Sequence, residues 1–146
     1  MYFDNAATSF PKPECVYDAA DAWMRGGAAA AGRGTHRNVE AAGQLIDDCR
    51  RQLATLLGVA APSHVVFTLN CTDSLNTVLQ GFLNPGDRVA ATALDHNSVL
   101  RPLEALKSRI GIEVEIIPFD PVTGVIDVAR YSEVLRTQNI RLAVLN

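Results

Sequence analysis

The stretch Val65–Val66–Phe67–Thr68–Leu69–Asn70–Cys71–Thr72–Asp73–Ser74–Leu75–Asn76 decides the fold class of this chain. Its first half is β-branched and aromatic, it breaks at small polar residues, and a helical pattern begins at once. Leu75, Val78, Leu79, Phe82 and Leu83 recur at i, i+3, i+4, i+7 and i+8, one apolar face of an α-helix. A tight strand-to-helix turn of this kind gathers backbone N–H groups, a hydroxyl and the positive end of a helix dipole. Such a spot suits a phosphate. Further along, a second strand over 88–93 delivers Asp95–His96–Asn97 to the equivalent position. An anion loop followed by an imidazole loop points to a bound phosphorylated cofactor.

Outward from this stretch the chain alternates. Strands near 64–69, 88–93, 113–118 and 141–145 are separated by helices near 72–83, 98–110 and 128–137. Asn84–Pro85–Gly86–Asp87 ends one helix, Asp127 is placed to N-cap another, and Pro102 is assigned to an opening helical turn. Near-continuous apolar runs such as Leu142–Ala143–Val144–Leu145 read as strands buried on both faces. The expected class is therefore α/β: a three-layer, mostly parallel sheet covered by helices. In such a sheet the carboxyl-end loops of parallel neighbours meet at one edge, so residues 70–72 and 95–97 are expected to converge.

Upstream, a helix with Pro13 in its first turn runs to about Arg25. Gly26, Gly27, Ala28–Ala31 and Gly32–Arg33–Gly34 form a small-residue connection, suited to close approach of the backbone. An amphipathic helix over 38–57 follows. Ala42, Leu45, Ile46, Cys49, Leu53, Leu56 and Leu57 share its apolar face, Asp47–Arg51 makes an i, i+4 pair, and Gly58 stops it. The expected division is an N-terminal segment over 1–62 and an alternating strand–helix part over 63–146.

Composition narrows the function classes. The chain is 48% hydrophobic with a formal net charge of −3, and no basic stretch stands out, which argues against nucleic acid. No apolar run approaches the ~20 residues of a membrane span, and Met1–Asp4 lacks the basic start of a signal peptide. Cys15, Cys49 and Cys71 are widely spaced with no C-x-x-C pair; they read as reduced thiols in a cytoplasmic protein. The glycine fingerprints of dinucleotide and nucleoside-triphosphate sites are absent.

Taken singly, the candidate residues leave two readings open. Thr72 is either a helix cap or a phosphate ligand. His96 is either a capping histidine or part of a site, and Asp95 either starts a helix or orients the imidazole. Cys71 is either a thiol activated by a helix N-terminus or a small residue chosen for fit. Cys15 and Cys49 read as packing residues, and His64 as a loop residue. His36 and Glu40 are spaced to share a metal but lack a third ligand, so no metal site is expected.

Together the motifs resemble the cysteine desulfurase family of the class V aminotransferase group, enzymes dependent on pyridoxal phosphate. Tyr2 to Pro13 is similar to the family's N-terminal signature, and Arg33–Gly34–Thr35–His36–Arg37 to its R-G-x-H-R loop. Phe67 to Asn76 follows F-T-x-G-A-T-E-x-x-N, Asp95–His96–Asn97–Ser98 matches E-H-N-S, and Asp120 to Asp127 matches a connecting loop. The five stand in the family's order. The resemblance implies that Cys71 and Thr72 bind the phosphate of pyridoxal 5'-phosphate and that His96 stacks on its ring, with a possible role in proton transfer. It implies that Asn5, Ala6 and Ala7 lie on the substrate side, with Arg33 and His36 near a dimer interface.

The same resemblance implies a fold: part of the large domain of a pyridoxal-phosphate-dependent transferase. It also exposes a gap. The family holds its cofactor as a Schiff base to lysine, and the lysines here are Lys12 and Lys107, neither in the family's lysine motif. Family members are much longer; their lysine, ring-nitrogen aspartate, carboxylate-binding arginine and desulfurase cysteine follow the matched region. The expectation is an N-terminal fragment, inactive alone, of a homodimeric enzyme. That enzyme would convert L-cysteine to L-alanine and pass sulfur through an enzyme cysteine to an acceptor protein. Alternatives are selenocysteine lyase or transaminase chemistry, or a non-catalytic α/β domain acting by binding or association. A nucleotide-binding domain is a weaker alternative.

Overall fold

Val89, Ala90, Ala91 and Thr92 are at most 1% exposed and form the middle of a parallel sheet. Strand β1 (Arg88–Thr92) lies between β2 (Glu113–Ile117) and β3 (Ile140–Ala143), parallel to both. This is a computed structural model in which residues 1–26 and 29–145 are described; Gly27 and Ala28 of the small-residue connection, and Asn146, lie outside the described residues. The chain divides into two compact units, Met1–Val66 and Phe67–Asn146.

In the second unit, side chains leave β1 alternately to opposite faces, as the strand period of two requires. Val89 and Ala91 pack with Leu79 and Leu83 from the end of helix α3 (Cys71–Phe82) and with Val99, Leu103 and Leu106 of α4 (Asn97–Ile110). Ala90 packs on the other face with Ile117 and with Val134 of α5 (Val128–Thr137). Helices on both faces of a parallel sheet make the three layers expected. Local signals agree: Gly111 ends α4 at φ 70°, and the Asp127 carboxylate accepts from the Arg130 N–H at 2.8 Å to open α5.

Three expectations for this unit need correction. The run before α3 is no strand: residues 62–64 make a 3₁₀ turn, 65–69 stay outside the ladder, and Leu69 is 92% exposed. An extended run becomes a strand only beside another strand that takes its N–H and C=O groups, and none among the described residues does so. Strand β3 is an edge strand, with Ile140 and Leu142 half-buried and Arg141 and Ala143 exposed, so it is not buried on both faces. Pro102 lies inside α4, past its first turn. The cost is confined to one hydrogen bond, since proline has no N–H for the Ser98 carbonyl.

The first unit holds α1 (Glu14–Arg25), with Pro13 at the cap position just before the first turn, and α2 (Arg37–Leu57), ended by Gly58 at φ 65°. Val39, Ala42 and Ala54 of α2 are buried, whereas Leu45, Cys49, Leu56 and Leu57 are exposed. Cys15 is exposed as well, so neither it nor Cys49 is the packing residue expected. Periodicity aligns side chains on one face of a helix; it does not supply a second surface to bury them. The expected Asp47–Arg51 pair is replaced by Asp47–Arg50 at 3.3 Å and by Asp48–Arg51, both spaced i, i+3.

Candidate functional site

The start of α3 is set by Asn70, whose side-chain oxygen accepts from the Asp73 N–H at 2.9 Å. Thr72 is therefore not the cap but the second residue of the helix. This division of labour leaves the N–H groups of Cys71 and Thr72, and the Thr72 hydroxyl, without an acceptor among the described residues. Unpaired first-turn donors at the positive end of a helix are what an anion uses. Cys71 is an exposed free thiol in the same turn.

The corner between β1 and α4 is built differently. Asp95 is 5% exposed, and its Oδ2 accepts from both the N–H and the hydroxyl of Thr92, at 2.6 and 3.1 Å. The Asp95 N–H returns a bond to the Thr92 carbonyl at 3.2 Å, closing a tight turn. His96 follows as the N-cap of α4, its Nδ1 accepting from the Ser98 N–H at 3.1 Å with the Ser98 hydroxyl 2.9 Å away. The imidazole itself is exposed.

Side by side, α3 and α4 form a groove of about 510 Å³. Thr72, Asn76 and Gln80 line it from α3, and Asn97, Arg101, Ala105 and Arg109 from α4, each set spaced by four residues. His96 stands at the same end as Thr72, at the start of its helix, and belongs to the lining too. The structure thus brings Thr72 and His96 into one groove although no strand precedes α3 among the described residues. Pro102, Ala105 and Leu106 add apolar surface to the same walls, so polar and apolar side chains share the groove.

The remaining candidates lie in the first unit. Asn5 accepts from the Phe10 N–H at 3.1 Å, and the Ala7 N–H donates to the Asp4 carbonyl, so residues 4–10, Ala6 included, form a turn with its own bonds. Arg33 is exposed, and His36 caps α2 by position without a side-chain bond. Lys12 donates to the Ser9 carbonyl at 2.8 Å, and Lys107 lies 4.0 Å from Glu104; neither lines the groove.

The sequence assigns no role to two residues near the β1 corner, although Ser98 belongs to the Asp95–His96–Asn97–Ser98 element. Ser98 gives its N–H to His96, and Tyr131 has a buried hydroxyl with no hydrogen-bond partner among the described residues. Burial, and then the negative charge of Asp95, push the Tyr131 phenol above its ordinary range. In the 120–127 loop, the N–H groups of Val122 and Thr123 hold the Asp120 carboxyl below the usual range.

Comparison with known proteins follows this geometry. A probable cysteine desulfurase of Pseudomonas aeruginosa is 33% identical over 146 residues, covering 98% of this chain and 36% of the relative. The apo cysteine desulfurase of Thermococcus onnurineus superposes with a TM-score of 0.83 at 31% identity, covering 98% of this chain and 35% of that one. The cystine C–S lyase C-DES, solved with glycine covalently linked to its pyridoxal-phosphate cofactor, shares the fold at a TM-score of 0.64 and 22% identity, over 89% of this chain and 32% of its own. The chain spans little more than a third of the length of the curated relative from Pseudomonas. The class V aminotransferase model matches residues 1–146, and the chain belongs to that family.

Proposed function

We propose that this chain supplies the phosphate-binding turn and the ring-stacking histidine of a pyridoxal-phosphate site in a cysteine-desulfurase-like enzyme acting on L-cysteine. One observation carries the proposal: Thr72, with its free N–H and hydroxyl in the first turn of α3, and His96 line one groove, with Cys71 adjacent in sequence but outside the lining. The residues fit the cofactor's two ends, an anion at a helix N-terminus and an aromatic face above a planar ring. When bound, pyridoxal phosphate supplies an electron sink for negative charge developing on the amino acid. Thr72 would hold the phosphate through its hydroxyl and N–H, with the Cys71 N–H beside it. His96 would fix the ring plane and move a proton at a ring nitrogen.

Titration of the chain with pyridoxal phosphate, followed by absorbance and equilibrium dialysis, tests this. Binding is expected, and Thr72→Val should weaken it by about 1.5–3 kcal/mol, the scale of a hydrogen bond to a charged group. His96→Ala should alter the absorbance more than the affinity, since stacking adds about 0.5–1.5 kcal/mol beyond area. Unchanged affinity in Thr72→Val would overturn the phosphate assignment. Sulfide release from L-cysteine is not expected of this chain, because Lys12 and Lys107 are both away from the groove lining.

Association is the second part of the proposal. Leu45, Leu56 and Leu57 are 51%, 78% and 67% exposed along α2, an apolar stripe of the kind that marks an interaction surface. Homodimerisation through it should appear in light scattering, and a monomer at high concentration would exclude it.

A further inference from the structure

We propose that the backbone N–H of Ser98, in the first turn of α4, is the positioning group that determines which nitrogen of His96 carries the hydrogen. The imidazole Nδ1 has one lone pair in the ring plane and accepts a hydrogen bond only when unprotonated. Here it stands 3.1 Å from the Ser98 N–H and 2.9 Å from the Ser98 hydroxyl. The Ser98 N–H is a first-turn donor of α4 with no carbonyl in its own helix to reach. Ser98 is 7% exposed, so that donor has little water to turn to.

An Nδ1–H tautomer would set two N–H groups against each other and leave the Ser98 donor unpaired. The cap therefore holds Nδ1 as acceptor of the Ser98 N–H, and the hydrogen of the neutral ring sits on Nε2. The backbone beneath is secured independently by the Asp95 bonds to Thr92. His96 lines the groove, so Nε2 is the atom available there for a proton. That last consequence rests on the cofactor-site reading; the tautomer does not.

The test is ¹⁵N NMR of the labelled chain, without added ligand, at a pH where the imidazole is neutral. Nδ1 should resonate as an unprotonated nitrogen and Nε2 as a protonated one. A scalar coupling across the hydrogen bond should link the Ser98 amide nitrogen to His96 Nδ1. Ser98→Thr should keep this pattern. Ser98→Ala, which keeps the same backbone N–H, should keep it as well. A protonated Nδ1 in the unmodified chain, absence of the coupling with both resonances assigned, or ring nitrogens driven to the other tautomer in a folded Ser98→Ala chain would each overturn the proposal. The unmodified chain alone decides the first two, whatever the variant does to folding. The expected tautomer in a chain that fails to bind pyridoxal phosphate would support this proposal while defeating the cofactor reading.

Discussion

Helices α2 and α4 carry the same kind of amphipathic pattern, yet their apolar stripes meet opposite fates. In α4, Val99, Leu103 and Leu106 are at most 2% exposed against β1 and α3. In α2, Leu45, Leu56 and Leu57 are all more than half exposed, and burial is confined to Val39, Ala42 and Ala54. The difference is what each helix packs on. A parallel sheet offers α4 a flat apolar surface made by alternate residues of β1; α2 lies in a unit where no strand is found among the described residues. An amphipathic pattern states that a helix has something to bury, not that it has found it.

Substitutions can break this contrast or sharpen it. Leu103→Ala should destabilise the chain by about 2–5 kcal/mol, the range for emptying a buried leucine site, whereas Leu56→Ala should stay within about 0.5 kcal/mol, as at an ordinary surface position. Denaturant melts of the two variants compare them directly. Equal losses would mean that α2 is covered in solution, which dimerisation would explain.

Next in size is the polar counterpart. Asp95→Ala removes the acceptor of a buried N–H and a buried hydroxyl at Thr92, an expected loss of about 1–3 kcal/mol. The exposed Asp21–Arg25 pair in α1 should lose at most about 0.5 kcal/mol when Asp21 becomes Ala, in keeping with surface helix pairs. Double melts with Thr92→Val would show whether the Asp95 loss is that of the corner. Smaller again, Asn70→Ala should cost about 1 kcal/mol through loss of the α3 cap. The same change at Thr72 should cost the fold less, since Thr72 is not the cap; a larger loss at Thr72 would reverse the assignment.

The smallest effect is expected at Tyr131, whose buried hydroxyl has no partner among the described residues. Tyr131→Phe should be neutral or slightly stabilising near neutral pH, because no hydrogen bond is lost. The pH sign follows from the raised phenol. The folded chain holds that proton more tightly than the unfolded chain, so its contribution is present below the ordinary tyrosine value, ~10, and is lost as pH rises through the folded value. Stability curves at alkaline pH should therefore fall less steeply for Tyr131→Phe than for the unmodified chain.

Much of the chain was determined by sequence alone because its signals are local. The helices expected over 98–110 and 128–137 form over Asn97–Ile110 and Val128–Thr137. Gly58 and Gly111 stop their helices at positive φ, and Asp127 starts its own, since each acts within a turn of backbone. The class V family could be read for a similar reason, from short motifs in a set order. Tertiary structure decided the rest. Whether residues 65–69 become a strand depends on a neighbour that takes their hydrogen bonds. Whether Leu56 or Cys49 is buried depends on a facing surface. Thr72 and His96 share a groove because α3 and α4 lie side by side on one face of the sheet. Hydrogen-bond caps are settled within a few residues; burial and convergence are settled by segments far apart in the chain, and periodicity carries no record of them.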